Sequence, residues 1–251
     1  MSGVDAPPSA SLSAAPPRQR WDAYTGRDHA VWRRLYARRM ATLAETGARA
    51  VLEGIERIGL APDRIPDLVD VNRRLAPWTG WEAVPVAGFV PAADFFGSLA
   101  RRRFPTTITI RPPARLDYLP EPDIFHDVFG HVPLHSDPVF ADLLHRFGRL
   151  GTRARHPAAV TALARLFWFT VEFGLVREAG EVRVYGSGLV SSISDAANAL
   201  GPGCERRPFD LDDIIGRPFA IDRLQEVLFV AESLEQVADA VGRAEALLDL
   251  G

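Results

Sequence analysis

The sequence predicts a mainly helical α+β fold with small β-elements, on three observations. Apolar residues recur at helical spacing through several long segments; strand signals are short and scattered; and the two do not alternate as in a doubly wound sheet. With 47% hydrophobic residues in 251 and no internal repeat, the chain has enough apolar material for a sizeable core in one domain, or at most two.

Residues 1–20 contain Pro7, Pro8, Pro16 and Pro17 and almost no large apolar side chains, which predicts a disordered leader followed by a single domain over 21–251. Over 29–46, Val31, Leu35, Met40 and Leu43 form an apolar face among arginines, and after Gly47 a second helix is predicted over 48–58. Further helices are predicted over 67–75, 91–100, 137–150 and 157–176, the last with the strongest apolar content, and a final one over 232–248. Strands are predicted over 82–86, 106–110, 182–185 and 227–230, the first three with Gly or Pro close to at least one end.

Composition removes several chemistries. All 29 cationic residues are arginine, so there is no lysine for a Schiff base, a Walker phosphate loop or a general base. The arginine bias itself reads as a base-composition effect. Cys204 is the single cysteine, which rules out an internal disulfide or a Cys-x-x-Cys metal site and fits a reducing compartment. The N-terminus has no apolar core for a secretory signal and no stretch reaches membrane-spanning length, so a soluble, cytoplasmic protein is expected. The net charge of −3 argues against nucleic acid, and Arg101-Arg102-Arg103 reads as a solvated helix end.

Five of the six histidines lie between His126 and His156. The centre of this cluster is Pro120-Glu121-Pro122-Asp123-Ile124-Phe125-His126-Asp127-Val128-Phe129-Gly130-His131-Val132-Pro133-Leu134. The prolines start a helix, Phe125, Val128 and Phe129 supply its buried face, and Gly130 and Pro133 stop it. A separation of five leaves two side chains about 140° apart on an ideal helix. A shared metal therefore requires the chain to leave regular helix, for which Gly130 is the expected hinge; otherwise the two are capping or solvated histidines. The spacing also differs from the four-residue His-Glu-x-x-His zinc helix.

A third ligand would have to be a carboxylate. Glu172 sits in Leu166-Phe167-Trp168-Phe169-Thr170-Val171-Glu172-Phe173-Gly174-Leu175, where burial would raise its pKa unless a cation or metal pairs with it. It is either an arginine-paired glutamate or a metal ligand. Two histidines and one carboxylate are the ligand set of non-heme Fe(II) oxygenases, and the same types serve zinc hydrolases. The only nearby base for hydrolysis is Asp127, equally suited to orienting His126 from behind.

The segments 120–134, 167–175 and Tyr185-Gly186-Ser187-Gly188-Leu189-Val190-Ser191-Ser192 closely resemble the tetrahydropterin-dependent aromatic amino acid hydroxylases, especially the short bacterial members that act on phenylalanine. The likeness runs from about Trp21 to Glu232. It implies that family's catalytic-domain fold and a mononuclear Fe(II) held by His126, His131 and Glu172. It also implies O2 and a consumed tetrahydropterin, tetrahydrobiopterin or a relative, as co-substrates. By the same resemblance Arg111 grips the substrate carboxylate, and Trp168, Phe125 and Pro122 line the substrate pocket. Ser191 reaches the substrate or a histidine ligand, and Tyr118 stands near the active site. Phe95 stacks on the pterin, while Gly88 and Val90 contact it through the backbone. The sequence departs from the family where Phe167 replaces a usual tyrosine, Ser187 a usual alanine, and Pro120 follows Leu119 in place of a Thr-Pro pair.

The resemblance implies a monomer without amino-acid allostery that converts L-phenylalanine to L-tyrosine. Two alternatives differ from it: a family member acting on tryptophan or another ring position, and a non-catalytic binding protein stabilised by zinc. The latter would need a fourth ligand, for which His135 and His145 are the nearby candidates.

Overall fold

Residues 17–88, 90–116 and 121–247 are described by a computed structural model. The expected leader therefore lies mostly outside the described residues, but the side chain of Gln19 already donates to the Pro66 carbonyl (3.0 Å) and accepts from the Leu68 amide (2.8 Å). The chain is thus anchored slightly before Trp21.

Helix α1 (Gly26–Thr46) begins at a capping box in which Thr25 and Asp28 exchange backbone and side-chain hydrogen bonds. It buries Val31, Trp32, Leu35, Arg39 and Leu43, the stripe that a spacing of three or four residues produces. Helices α2 (Arg49–Arg57) and α3 (Leu68–Thr79) follow, α3 capped by Asp67 and ended by Gly80 at φ 71°. Strands β1 (Glu82–Val86) and β2 (Arg103–Thr107) form a parallel pair joined through α4 (Ala92–Leu99).

Strand β2 starts three residues before the predicted 106–110. Arg102, at φ 57°, turns the chain directly into register, with Glu82 opposite Arg103 and Val86 opposite Thr107. The arginine triplet sits at this junction, with Arg102 and Arg103 facing Asp142 and Glu82, in keeping with a solvated helix end.

The histidine segment departs most from expectation. Residues Phe125–His131 form a π-helix and Val132–Ser136 a 3-10 turn before α5 (Pro138–Arg153). Gly130 is no hinge. It lies within the π-helix, and a Cβ there would stand 2.9 Å from the Ser187 carbonyl oxygen, so its lack of a side chain serves close packing.

The predicted helix over 157–176 divides in three. After α6 (Pro157–Phe167) comes a second π-helical turn, Trp168–Glu172, and then strand β3 (Leu175–Glu178). Gly174 marks the break, because a Cβ there would meet the Tyr185 ring at 2.1 Å. Leu175 and Val176 are apolar because strands flank them on both sides. Strand β3 pairs antiparallel with β4 (Glu181–Val184) across Ala179 and Gly180, both at positive φ, and parallel with β6 (Val227–Ala231). Strand β5 (Glu205–Pro208) completes the order β4-β3-β6-β5. Helices α7 (Ser187–Ser191), α8 (Ile193–Leu200), α9 (Leu211–Gly216) and α10 (Leu234–Leu247) complete the elements of the described residues.

The core is continuous, with Trp32, Trp81, Phe129 and Leu143 wholly enclosed. Both buried indoles are satisfied, Trp32 by the Ala61 carbonyl and Trp81 by the Ala141 carbonyl. Among the described residues no helix is long and apolar enough to cross a membrane.

Gly148 on α5 touches the end of α4 so closely that a Cβ would lie 2.2 Å from the Ala100 nitrogen. Backbone cannot yield there as a flexible side chain can. Gly148→Ala is expected to cost at least about 1–3 kcal/mol, read as a lower urea midpoint with unchanged m.

Candidate metal centre

The π-helical winding resolves the spacing problem. Its hydrogen bonds run from residue i to i+5, so side chains five apart share a face, and the His126 and His131 rings stand 5.0 Å apart at 86°. The second π-helical turn ends at Glu172, where the Phe173 amide bonds back to the Trp168 carbonyl at 2.8 Å. Glu172 Oε1 lies 3.3 Å from His131 Nε2 and Oε2 lies 3.7 Å from His126 Nε2.

One ligating atom from each of the three residues falls within 4.8 Å of the other two. The partners of Glu172 are these histidines and the Ser187 hydroxyl, so the arginine-paired alternative is not what forms. No other such group of three occurs among the described residues, and neither His135 nor His145 joins this one.

Protonation suits metal binding. Ser191 Oγ donates to the Ser187 carbonyl (2.8 Å) and stands 2.9 Å from His126 Nδ1. With its single proton committed, the hydroxyl must accept from Nδ1–H, which leaves Nε2 with its lone pair. Burial lowers the His126 pKa and favours neutral imidazole. For Glu172 burial acts upward, but positive charge on the His131 and His126 rings and the hydrogen bonds from His131 and Ser187 prevail and hold the carboxyl at about 2, so the carboxylate is stabilised by positive charge in the place a cation would take on displacing the ring protons. An anionic carboxylate and neutral imidazole are the forms a divalent cation requires, so the donor set fits a metal held on one face.

Asp127 does not orient His126. Its Oδ2 accepts from the Thr107 amide and hydroxyl, both at 2.7 Å, so it fastens the π-helix to β2 and Ser191 holds the imidazole.

A cleft of about 880 Å³ opens over the centre. His126 and Glu172 keep 23% and 18% of their side chains exposed, whereas His131 keeps 4%, so the first two face the cleft. Arg111, Pro122, Phe125, Trp168 and Ser191 share its wall.

Arg111 is held by Asp123, with Nε donating to Oδ2 (2.8 Å) and Nη2 to Oδ1 (2.9 Å). Burial would raise the Asp123 pKa, but the Arg111 guanidinium outweighs it and lowers the value. Trp168 stacks on both Phe173 and Phe219 at 4.6 and 4.4 Å, with its N–H donating to Gln225 Oε1.

Phe95, Gly88 and Val90 lie off this wall. Phe95 meets Phe104 edge-on at 6.1 Å, and Phe104 packs on His131 at 4.6 Å, so α4 approaches the centre through one intervening ring. Gly88 is exposed, with nothing within 4 Å of where a Cβ would be, and Val90 is half-buried. Tyr118 lies outside the described residues.

Sequence reasoning missed two supports. Gln225, whose amide also donates to the carbonyls of Ala220 and Arg223, has no local signal. Arg39 was hidden by its type: it is 1% exposed, and its guanidinium donates to the carbonyls of Leu189 and Val190 on α7. A buried position at regular spacing within an apolar stripe was its only clue.

A sequence profile described as biopterin-dependent aromatic amino acid hydroxylase matches residues 20–247. The chain is 44% identical over 220 residues to phenylalanine-4-hydroxylase of Chromobacterium violaceum, covering 87% of this chain and 74% of that protein. It is 44% identical over 218 residues to the enzyme of the same name from Ralstonia nicotianae, covering 86% and 70%. A crystal structure of the Chromobacterium violaceum protein with iron(III) and 7,8-dihydrobiopterin superposes with a TM-score of 0.89 at 42% identity, covering 95% of this chain and 88% of that one.

The Asp123 carboxyl, lowered in the folded state, stabilises the fold above the ordinary carboxylate pKa of about 3.9, and this contribution is lost as pH falls through the lower folded value. Asp123→Asn is expected to cost about 3 kcal/mol at neutral pH by leaving Arg111 unpaired, and to flatten the acid limb of stability. Urea unfolding of both proteins between pH 3 and 7 measures this.

Proposed function

The chain belongs to the biopterin-dependent aromatic amino acid hydroxylases, and from that premise we propose that it converts L-phenylalanine to L-tyrosine, using O2, a non-heme iron(II) and a tetrahydropterin consumed as co-substrate. One observation carries the reading: two imidazole nitrogens and one carboxylate gather within 4.8 Å at a cleft that also contains an oriented arginine and aromatic walls.

In this reading His126, His131 and Glu172 hold the iron on one face and leave its other positions free of protein. Bound there, iron(II) supplies the redox chemistry through which O2 and the tetrahydropterin bring about ring hydroxylation.

Arg111, clamped by Asp123 on Nε and Nη2, presents its remaining N–H groups to the substrate carboxylate. Phe125, Pro122 and Trp168 enclose the aromatic side chain. Trp168 is fixed by its stack and by Gln225, so little side-chain freedom is lost on binding. Ser191 keeps His126 in the tautomer whose Nε2 faces Glu172. Phe95, with Gly88 and Val90 preceding it, forms the pterin side. The catalytic unit is one domain over 21–251, acting as a cytoplasmic monomer.

Anaerobic loading with Fe(II), then O2, tetrahydrobiopterin and each aromatic amino acid in turn, is expected to yield tyrosine from phenylalanine, identified by mass and retention time. Glu172→Ala is expected to lower turnover more than about 100-fold, exceeding the 10–100-fold effect of losing a ligand's hydrogen-bond partner. Hydroxytryptophan or another tyrosine isomer as the main product would overturn the substrate or the ring position while leaving the metal assignment intact.

A further inference from the structure

We propose that the Ser187 hydroxyl is a positioning group for the metal-binding carboxylate, biasing Glu172 to ligate through Oε1 alone. The inference rests on the iron reading above and concerns how one ligand is presented.

Ser187 is 1% exposed, and its Oγ donates to Glu172 Oε2 at 2.6 Å, within the range of a hydroxyl bonded to an ionised carboxylate. The flanking glycines make this contact hard to escape. A Cβ at Gly186 would stand 2.5 Å from the Glu172 carbonyl oxygen and 2.3 Å from the Gly174 nitrogen, and one at Gly188 would stand 3.1 Å from the same carbonyl. The Gly-Ser-Gly turn therefore lies directly against the Glu172 backbone, and the hydroxyl between the glycines is delivered to the carboxylate by main-chain packing.

The two carboxylate oxygens become unequal. Each oxygen faces one imidazole, Oε1 with His131 Nε2 at 3.3 Å and Oε2 with His126 Nε2 at 3.7 Å, and a metal displaces ring protons there; the Ser187 proton on Oε2 stays and draws down the donor strength of that oxygen alone. A metal between the three side chains takes the less encumbered oxygen, and a coordination position that a two-oxygen grip would occupy is kept free. Ser187 also reaches the second ligand system, since its carbonyl accepts from Ser191 Oγ, which in turn holds His126 Nδ1. Replacing the side chain by alanine removes only the Glu172 arm, leaving the carbonyl arm as an internal control.

The test compares wild type with Ser187→Ala. Fe(II) affinity is measured by chelator competition, Co(II) d–d absorption reports carboxylate coordination, and the metal-free thermal midpoint reports the fold. The expected result is an affinity roughly tenfold weaker and a changed Co(II) spectrum, with the metal-free midpoint lowered only by the loss of one buried hydrogen bond. Identical affinity and spectrum would overturn the inference alone. So would a loss of affinity with an unchanged Co(II) spectrum, since the carboxylate would then be presented as before. Wild-type protein that takes up neither metal would overturn the iron reading, and the inference with it.

Discussion

Winding residues 125–131 with i→i+5 hydrogen bonds brings two histidines onto one face that an α-helix would hold far apart, and most of the neighbouring structure serves to keep that winding in place. A π-helix is a poor structure on its own. Here it is enclosed by buried Phe125, Val128 and Phe129, tied to β2 through Asp127 and Thr107, and pressed by α7 at Gly130. Burying a phenylalanine is worth about 1.5–3 kcal/mol, so the two rings contribute substantially to holding the segment in place. The second π-helical turn brings Glu172 up to meet the pair.

Much of this was legible in the residues, and the failures share a cause. Apolar spacing located α1, α5 and the final helix to within a few residues, because a helix facing one core repeats itself visibly. The identity of the three metal-facing side chains was legible through ordered motifs, although spacing alone left them open. What escaped was whatever depends on two distant segments approaching closely. In sequence Gly130 has the pattern of a helix stop, because its own segment gives no sign of the Ser187 carbonyl waiting opposite. Leu175 and Val176 have a helix-like pattern, because a strand buried between two neighbours is as uniformly apolar as a core helix. Asp127 looked like a partner for its neighbour His126, and only the fold reveals Thr107 within reach.

Arg39 shows how the scaffold holds α7. Burial lowers its pKa to about 10, so it remains cationic at neutral pH, yet the hydrogen bonds it makes are to carbonyls of Leu189 and Val190 and the hydroxyl of Thr42. A cation at the carbonyl end of a helix is favourably placed. Because α7 bears both Ser187 and Ser191, this one guanidinium on the first helix holds the support for two of the three metal-facing residues, some 150 positions along the chain.

The π-helical stretch also constrains how the chain can vary in length. Side-chain exchange along the segment changes packing locally, but adding or removing a single residue between His126 and His131 would shift the phase of everything after it. One histidine would rotate off the shared face, and the 3-10 turn and α5 behind it would be displaced together. Homologous sequences that retain the centre should therefore exchange apolar side chains here more readily than they change the count, so a gap in an alignment at this point would be a stronger sign of lost metal chemistry than a conservative substitution.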